Sequence, residues 1–272
     1  RQMCIRDRVG LDLMPHILES MENTLPKGDA FLELGGAPKL LQKMIKSGYT
    51  GRKGKGGFYR LNDKKQKEVK DLQSGDYYVA KRIKPDALKA SKKDGLRGLF
   101  EHDSAEAKYA WDVMSHTLAY AADLVGEIAD NIELIDRAMC LGFNWKKGPF
   151  KLIDEMGAAW FAEKLQDEGR DVPEILMKVG GGKLYKTEKG QLKYFDLSGK
   201  YKDVKRPAGV ILLQDIKRNS EPVLKNISAS VWDIGDGVLC LEFTSKMNSL
   251  DPLIMSMMRK TIKLIENDKK WK

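Results

Sequence analysis

The sequence is poor in the residues that build several common kinds of site. It holds three cysteines, Cys4, Cys140 and Cys240, far apart and without a CxxC pair. That spacing argues against a disulfide framework and a thiolate zinc site, and it fits a reducing cytoplasm. Three histidines are present, His16, His102 and His116, none with an acid or nucleophile at a helpful offset. His16 reads as a partly exposed helical residue, His102 as a loop residue and His116 as a buried or interface residue of a long helix. No apolar run approaches the roughly 18–20 residues that a membrane span needs. Neither GxGxxG nor GxxxxGK[ST] occurs, so two familiar phosphate-cradling fingerprints are missing. The first eight residues, Arg1–Arg8, have no apolar centre, which excludes a signal peptide.

What is present suits a globular protein. The 272 residues are 42% hydrophobic and 32% charged, enough for one large or two small cores. The net charge of +9 raises nucleic acid as a partner, but the lysines are interleaved with acids. Solvated lysine-rich faces are therefore expected, without nucleic-acid binding. Arg1–Arg8 resembles an adapter-derived peptide and is set aside as a non-native leader. Asn267–Lys272 stops without a closing element, so both ends read as cut.

The stretch Gly126–Gly157 organises the chain. Ile128, Ile132, Ile135 and Met139 recur at steps of three and four, which places them on one helical face. Asp130, Glu133, Asp136 and Arg137 fall elsewhere on the turn. Gly142 is placed to end the helix. Asn144–Lys147 makes a basic, aromatic loop, and Gly148-Pro149 turns the chain into a second helix. That helix buries Phe150, Ile153 and Met156, with Asp154 and Glu155 facing out.

From Ala138 to Phe150, and then at Leu152, Asp154 and Gly157, the residues resemble the GFxxxxGPFxLxDxxG signature of 3-hydroxyacyl-CoA dehydrogenases. In that family the signature lies in an all-helical C-terminal domain. The resemblance therefore implies fold, and the reaction chemistry would sit elsewhere.

Upstream, Val9–Met21 reads as a helix bent at Pro15. Pro38 opens another, carrying Leu40, Leu41, Met44 and Ile45 and ending at Gly48. The run Gly48–Tyr59 is glycine-rich and basic. Its backbone could cradle phosphate, or it is a lysine-decorated turn before a strand. It resembles the GRKxGKGFY motif of the same family, where it is mainly structural. Lys64–Lys93 reads as a charged connector with a small apolar island at Tyr77, Tyr78 and Val79. Asp103 or Ser104 caps a helix expected over 105–128, with Tyr109, Val113, Leu118 and Leu124 among its apolar residues. After the elbow come a helix at Ala158–Glu168, another opened by Pro173, and a hairpin turning at Glu188-Lys189-Gly190.

An internal repeat emerges. Pro38-Lys-Leu-Leu41, a helix, glycines and Phe58-Tyr59 parallel Pro173-Glu-Ile-Leu176, a helix, glycines and Tyr194-Phe195. Val9–Asp12 matches the segment around Gly157. Tandem helical domains of this kind are what the resemblance to multifunctional β-oxidation proteins implies.

Beyond Ser198 the pattern loosens, and then the period changes to two. Ser228–Ile234 and Val238–Phe243 alternate around Gly235-Asp236-Gly237, a hairpin signal. Lys246–Pro252 leads into a helix with Ile254, Met257, Met258, Ile262 and Ile265. The segment GDGVLCLEFTSKMNSLDPLIMSMM resembles the opening of an enoyl-CoA hydratase (crotonase) domain.

The expected fold is mainly α. Tandem helical domains of the 6-phosphogluconate-dehydrogenase C-terminal type precede a β-hairpin and helix that open an incomplete crotonase domain. The expected boundaries are 1–8 leader, 9–62 end of a first helical domain, 63–102 connector, 103–197 second helical domain, 198–227 linker and 228–272 crotonase start. The two resemblances together imply a piece of a bifunctional, NAD-dependent 3-hydroxyacyl-CoA dehydrogenase and enoyl-CoA hydratase of fatty-acid β-oxidation, cytoplasmic and acting on CoA thioesters. The NAD site and both catalytic centres would lie outside these residues. Catalytic, cofactor-binding and metal-ligating residues are accordingly none. Only Lys246 carries over, as a residue that in crotonases lies beside the CoA phosphates or is a solvated loop lysine. A thiolase subunit or a second copy would be the protein partner. The competing class is a non-enzymatic, basic helical interaction module.

Overall fold

The computed structural model describes residues 7–81 and 83–271. They form two compact units, divided between Pro85 and Asp86. Residues 1–6 of the expected leader lie outside the described residues.

The first unit contains α1 (Leu13–Thr24), a short 3-10 turn (Ala30–Leu34), α2 (Lys39–Lys46), and strands β1 (Tyr59–Leu61), β2 (Lys67–Lys70) and β3 (Tyr77–Val79). The strands form an antiparallel meander in the order β1-β2-β3. Leu11, Leu41 and Met44 make a small core, with Met14, Ile45, Tyr49 and Phe58 packed around it.

The second unit opens with α3 (Ala87–Phe100), broken at Asp94-Gly95, where Gly95 takes φ +67°. Then follow α4 (Ala105–Asp123), α5 (Ile132–Phe143), α6 (Pro149–Met156), α7 (Ala158–Asp167) and α8 (Glu174–Val179). A second antiparallel meander comprises β4 (Tyr185–Glu188), β5 (Gln191–Phe195) and β6 (Tyr201–Asp203). Helix α9 (Leu213–Asn219) leads to a third sheet, β7 (Leu224–Lys225), β8 (Ala229–Asp233) and β9 (Leu239–Phe243), and to α10 (Pro252–Asn267). The main core gathers Trp111, Leu118, Ile132, Phe150, Ile153, Phe161, Leu165, Ile175, Leu176 and Leu184 from six segments. Trp111 stacks edge-to-face on Phe100, Trp160 and Phe161, the arrangement that aromatic quadrupoles favour.

One contact joins helix to meander in both units. Asp154, at the end of α6, accepts hydrogen bonds from the backbone amides of Leu184 and Tyr185 at 2.7 and 2.8 Å. Asp7 accepts from the amides of Phe58 and Tyr59 at 2.9 and 2.7 Å. The likeness continues along the chain. Pro38 and Pro173 cap α2 and α8 with φ/ψ of −54/139° and −51/138°. Tyr77 and Tyr201, each opening the third strand, donate their hydroxyls to the carbonyls of Gly57 and Lys183. Asp71 and Asp196 close equivalent turns by accepting from amides two to four residues on.

These pairs correct the sequence reading. The partner of Phe58-Tyr59 is Leu184-Tyr185, and Tyr194-Phe195 belongs to the middle strand. The repeat also starts earlier, because Asp7, set aside with the leader, is 4% exposed and anchors the first meander. The expected connector carries β2, β3 and all of α3. Helix α4 stops at Asp123, and its buried face is Ala107, Trp111, Ser115, Leu118 and Ala122. Tyr109 and Val113 face water, and Ser104 is the cap.

The alternation at 228–243 forms the expected hairpin, with Val231 opposite Leu241 and Asp233 opposite Leu239. A third strand, β7, adds an edge. Helix α10 covers one face through Ile254 and Met257, which are buried against Ala229 and Val231. On β8, Ser230 and Trp232 are buried as well. Trp232 donates to Ser230, whose hydroxyl bonds Glu242, and Lys217 pairs with Glu242.

Removing the Asp154 carboxylate strips two buried amides of their acceptors. Hydrogen bonds to a charged group are worth about 1.5–3 kcal/mol each, so Asp154→Ala should cost roughly 2–4 kcal/mol of stability. The exposed neighbour substitution Glu155→Ala should stay within about 0.5 kcal/mol. Urea unfolding of the two variants checks this, and equal midpoints would contradict it.

Candidate functional site

The residues of the helical signature converge on one joint. Asn131 caps α5 by accepting from the amide of Leu134. The helix therefore opens at Ile132, later than the periodicity suggests, and Ile128 is left 62% exposed in the preceding loop. Gly142 stays inside α5. Asn144 ends the helix in the left-handed region at φ +55°, a conformation asparagine tolerates better than most residues.

Asp136, expected on the open side, is 3% exposed. It accepts from the amide of Phe150 at 2.8 Å and from that of Lys151 at 3.3 Å. It thereby satisfies orphan amides at the start of α6. Burial pushes its carboxyl up to about 6, against the opposing pull of those amides. The Tyr185 hydroxyl stands beside it, and burial first and that carboxylate second push the phenol up.

This packing explains the Gly-Pro-Phe step. A Cβ on Gly148 would lie 2.3 Å from the Asp136 carboxyl. Pro149 lacks the amide that the first helical position cannot use. Phe150 and Ile153 are fully buried. Asp154 then ties the helix to β4. Burial raises its carboxyl, and the bonds from Leu184 and Tyr185 pull the other way. Gly157 separates α6 from α7 at φ +92°. Gly148, Pro149, Phe150, Asp154 and Gly157 of the signature thus each have a structural task, whereas Phe143 is 71% exposed.

Beside the joint lies a groove of about 750 Å³ between α5 and the second meander, lined by Glu133, Arg137, Lys193, Lys202 and Arg206. Apart from Lys205, its cations are paired with carboxylates. Arg206 reaches Glu133 at 2.9 Å and Asp215 at 2.9 Å, and Arg218 also meets Asp215. The Arg206 hydrogen bond is the main reason the Asp215 carboxyl lies low. Lys193 bridges Asp203 and Glu188. Lys202 pairs with Asp196; burial works against ionising Asp196, but bonds from Lys202, Ser198 and Lys200 outweigh it and hold the carboxyl at about 2. A groove so neutralised stabilises structure and offers no acid or base poised for proton transfer.

Lys246 stands in a short 3-10 turn, Lys246–Asn248, exposed and away from the signature joint. Met247 and Asn248 beside it take positive φ of 61° and 54°. His116, expected to be a buried or interface residue, is exposed rather than buried in this chain, with Nδ1 at 2.7 Å from the carbonyl of Asp112. His16 is exposed, and the His102 ring accepts from the amide of Ser104. Among the described residues no group of histidines, cysteines and acids could hold a metal ion, and no helix is long and apolar enough to cross a membrane. All strand pairs there are antiparallel. The described residues therefore lack the parallel βαβ seat that a dinucleotide uses; they do not fit NAD, and no step through NAD is derived.

The joint makes two testable statements. Asp136 should titrate with a midpoint near 6 by side-chain NMR, and an ordinary value near 4 would contradict its burial. Its folded-state value lies above the unfolded one, so the ionised form is penalised in the fold. The contribution of Asp136 to stability should therefore rise as pH falls from about 7 to 4, and Asp136→Asn should remove that contribution, seen as the difference between the two proteins' stability–pH curves. Gly148→Ala, which drives a methyl into the carboxyl, should cost roughly 1–3 kcal/mol by denaturant unfolding.

No protein-family model matches the chain, and no solved structure does. Curated proteins do. A Bacillus subtilis (strain 168) protein named "Probable 3-hydroxyacyl-CoA dehydrogenase" is 36% identical over 273 residues, covering 97% of this chain and 34% of that protein. A Rickettsia felis protein named "Putative fatty acid oxidation complex trifunctional enzyme" is 30% identical over 267 residues, 97% of this chain and 34% of its own length. A Rickettsia prowazekii protein of the same name is 29% identical over 266 residues. The chain thus spans about a third of the length of the curated relatives it matches. Over nearly its whole length it is similar to proteins named for 3-hydroxyacyl-CoA dehydrogenase and fatty-acid oxidation, which supports the resemblance carried by its signature.

Proposed function

We propose that the chain is the structural helical part of an NAD-dependent 3-hydroxyacyl-CoA dehydrogenase of fatty-acid oxidation, fused to an enoyl-CoA hydratase. The whole protein would hydrate a 2-enoyl-CoA and oxidise the resulting 3-hydroxyacyl-CoA in the cytoplasm, with a thiolase subunit or a second copy as partner. The carrying observation is the likeness over 97% of the chain to a third of a longer protein named for the dehydrogenase. The scaffold role of Gly148, Pro149, Phe150, Asp154 and Gly157 agrees with it, since these residues are spent on packing and on the joint. A stand-alone helical interaction module is not favoured by these likenesses.

The duplication supports the reading of residues 9–62 as the end of a first helical domain. By the pairing of Asp7 with Asp154, Val9 corresponds to Met156. Pro38 and Pro173 align Leu40 with Ile175. Met156 and Ile175 are 1% and 0% exposed beneath their unit's helices, whereas Val9 and Leu40 are 54% and 36% exposed. The first unit thus has an apolar face that the second unit's architecture covers.

On this reading residues 228–272 open the hydratase domain, and Lys246 lies beside the CoA phosphates. Met247, Leu250 and Ile262 are 89%, 64% and 55% exposed, apolar surface that further strands and helices would cover. This end should be the least protected against amide exchange. Hydrogen exchange finding 228–266 as slow as α4 would contradict a severed domain start.

The direct test is to read the gene beyond Arg1 and Lys272 and assay its full product. The expected result is a GxGxxG unit upstream, a glycine-rich hydratase core downstream and NAD reduction by 3-hydroxyacyl-CoA. Unrelated flanks would overturn the proposal. The 272-residue chain alone should show neither activity, nor micromolar NAD binding by calorimetry.

A further inference from the structure

The positive charge of the chain is concentrated. Residues 39–85 hold fourteen lysines and arginines against four aspartates and glutamates, although the chain as a whole carries only +9. The expectation of evenly interleaved charge therefore fails over residues 39–85, the latter part of the first unit. Within it lies a cleft of about 560 Å³, lined by Arg52, Lys55, Tyr59, Arg60, Lys67 and the backbone of the glycine-rich loop. That volume is within the range of roughly 300–1,000 Å³ typical of small-ligand sites.

The cations of the cleft are unequally occupied. Arg60 is held by Glu68 at 2.7 Å. Lys67 lies over the Tyr59 ring, 4.0 Å from its centroid. Arg52, Lys55 and Lys67 have no carboxylate partner among the described residues, and all three are exposed. The acid of the cleft, Asp7, already spends both carboxylate oxygens on the amides of Phe58 and Tyr59. The cleft is therefore cationic in balance, unlike the paired groove of the second unit.

The second unit serves as an internal control. There the chain runs from Pro173 to Leu184, eleven residues, to join the last helix to its meander. In the first unit the same joint, from Pro38 to Phe58, takes twenty. The Asp-anchored joint forms without the additional nine residues, and in the first unit these bring Arg52 and Lys55 to the cleft. The loop holds its shape by its own bonds, Gly51 amide to Gly56 carbonyl and Arg52 amide to Asp7 carbonyl, each 2.8 Å. A Cβ on Gly51, Gly54 or Gly57 would meet atoms at 2.1–2.4 Å, so the loop is a fixed platform for its cations.

We propose that this cleft binds the phosphates of an adenosine nucleotide, with Arg52, Lys55 and Lys67 as the anion contacts and Tyr59 as an aromatic wall. Guanidinium and ammonium groups without carboxylate partners are the natural counter-charges of a bisphosphate. The half-buried Tyr59 ring, with Lys67 over one face, lines the cleft as an aromatic surface against which a base can stack. Coenzyme A is the member of this class that the proposed function supplies; that choice, and not the site itself, rests on that reading.

The test titrates coenzyme A, adenosine 3′,5′-bisphosphate and pantetheine separately into the whole 272-residue chain by calorimetry. The same titrations are run on R52Q/K55Q and on the control K260Q/K263Q in α10. Circular dichroism establishes that the variants keep the fold. Saturable binding of the bisphosphate and of coenzyme A, weakened at least tenfold in R52Q/K55Q and unchanged in the control, is expected, with no binding of pantetheine. Bisphosphate binding without coenzyme A binding keeps the site and counts against the acyl-CoA reading. No saturable binding of either nucleotide, or equal affinity in R52Q/K55Q, overturns the proposal whether or not the dehydrogenase reading stands.

Discussion

A carboxylate that accepts two consecutive backbone amides holds each unit of this chain together. Asp154 does so for Leu184 and Tyr185, and Asp7 for Phe58 and Tyr59. The amides belong to the first strand of a meander and its approach. Left without acceptors in a partly buried joint, each would cost about 1–3 kcal/mol. The carboxylate replaces the water both groups give up, and it fixes where the meander starts relative to the preceding helix. The rest follows from that anchor: the strand register, the tyrosine bond from the third strand back to a carbonyl two residues before the first, and the aspartate-closed turn between the second and third strands.

The two copies diverge where the anchor does not constrain them. The second unit packs α4 and α7 against α8, and Ile175 and Met156 vanish from solvent. The first unit presents the corresponding Leu40 and Val9 to water. Its additional length lies in the segment with the 3-10 turn between α1 and α2 and in the glycine-rich basic loop. The groove of the second unit is neutralised by Glu133, Asp196, Asp203 and Asp215, while the cleft of the first keeps three cations without carboxylate partners. One scaffold thus carries a closed, paired surface and an open, charged one.

Much of this was legible in the sequence, and the failures have physical reasons. The apolar periodicity placed Phe150, Ile153 and Met156 correctly on a buried face. The period-two alternation found β8 and β9, because a hairpin with one covered face writes its register into the residues. The prolines at 38 and 173 marked both helix starts. The carboxylates Asp136 and Asp154 were misplaced as outward-facing, because helical spacing assigns a charged residue to the open side and does not see amides arriving from a later segment. The first meander was hidden among lysines. Its strands are three or four residues long and half-exposed, so no alternation marks them. Asp7 was lost because its neighbours look foreign, although its spacing to Gly10 repeats that of Asp154 to Gly157. Lys246 was placed on a loop as expected, and the structure gives it no carboxylate among the described residues.

On the proposed reading, residues 7–85 are the latter part of a unit of the kind that residues 86–204 display with its helices in place. The most direct measurement compares amide exchange in α2 between this chain and the same chain extended by its natural upstream residues. If the claim holds, α2 exchanges faster than α8 in the 272-residue chain and slows to the level of α8 once the upstream residues are present, while α8 itself does not change. Equal protection of α2 in the two proteins would contradict it.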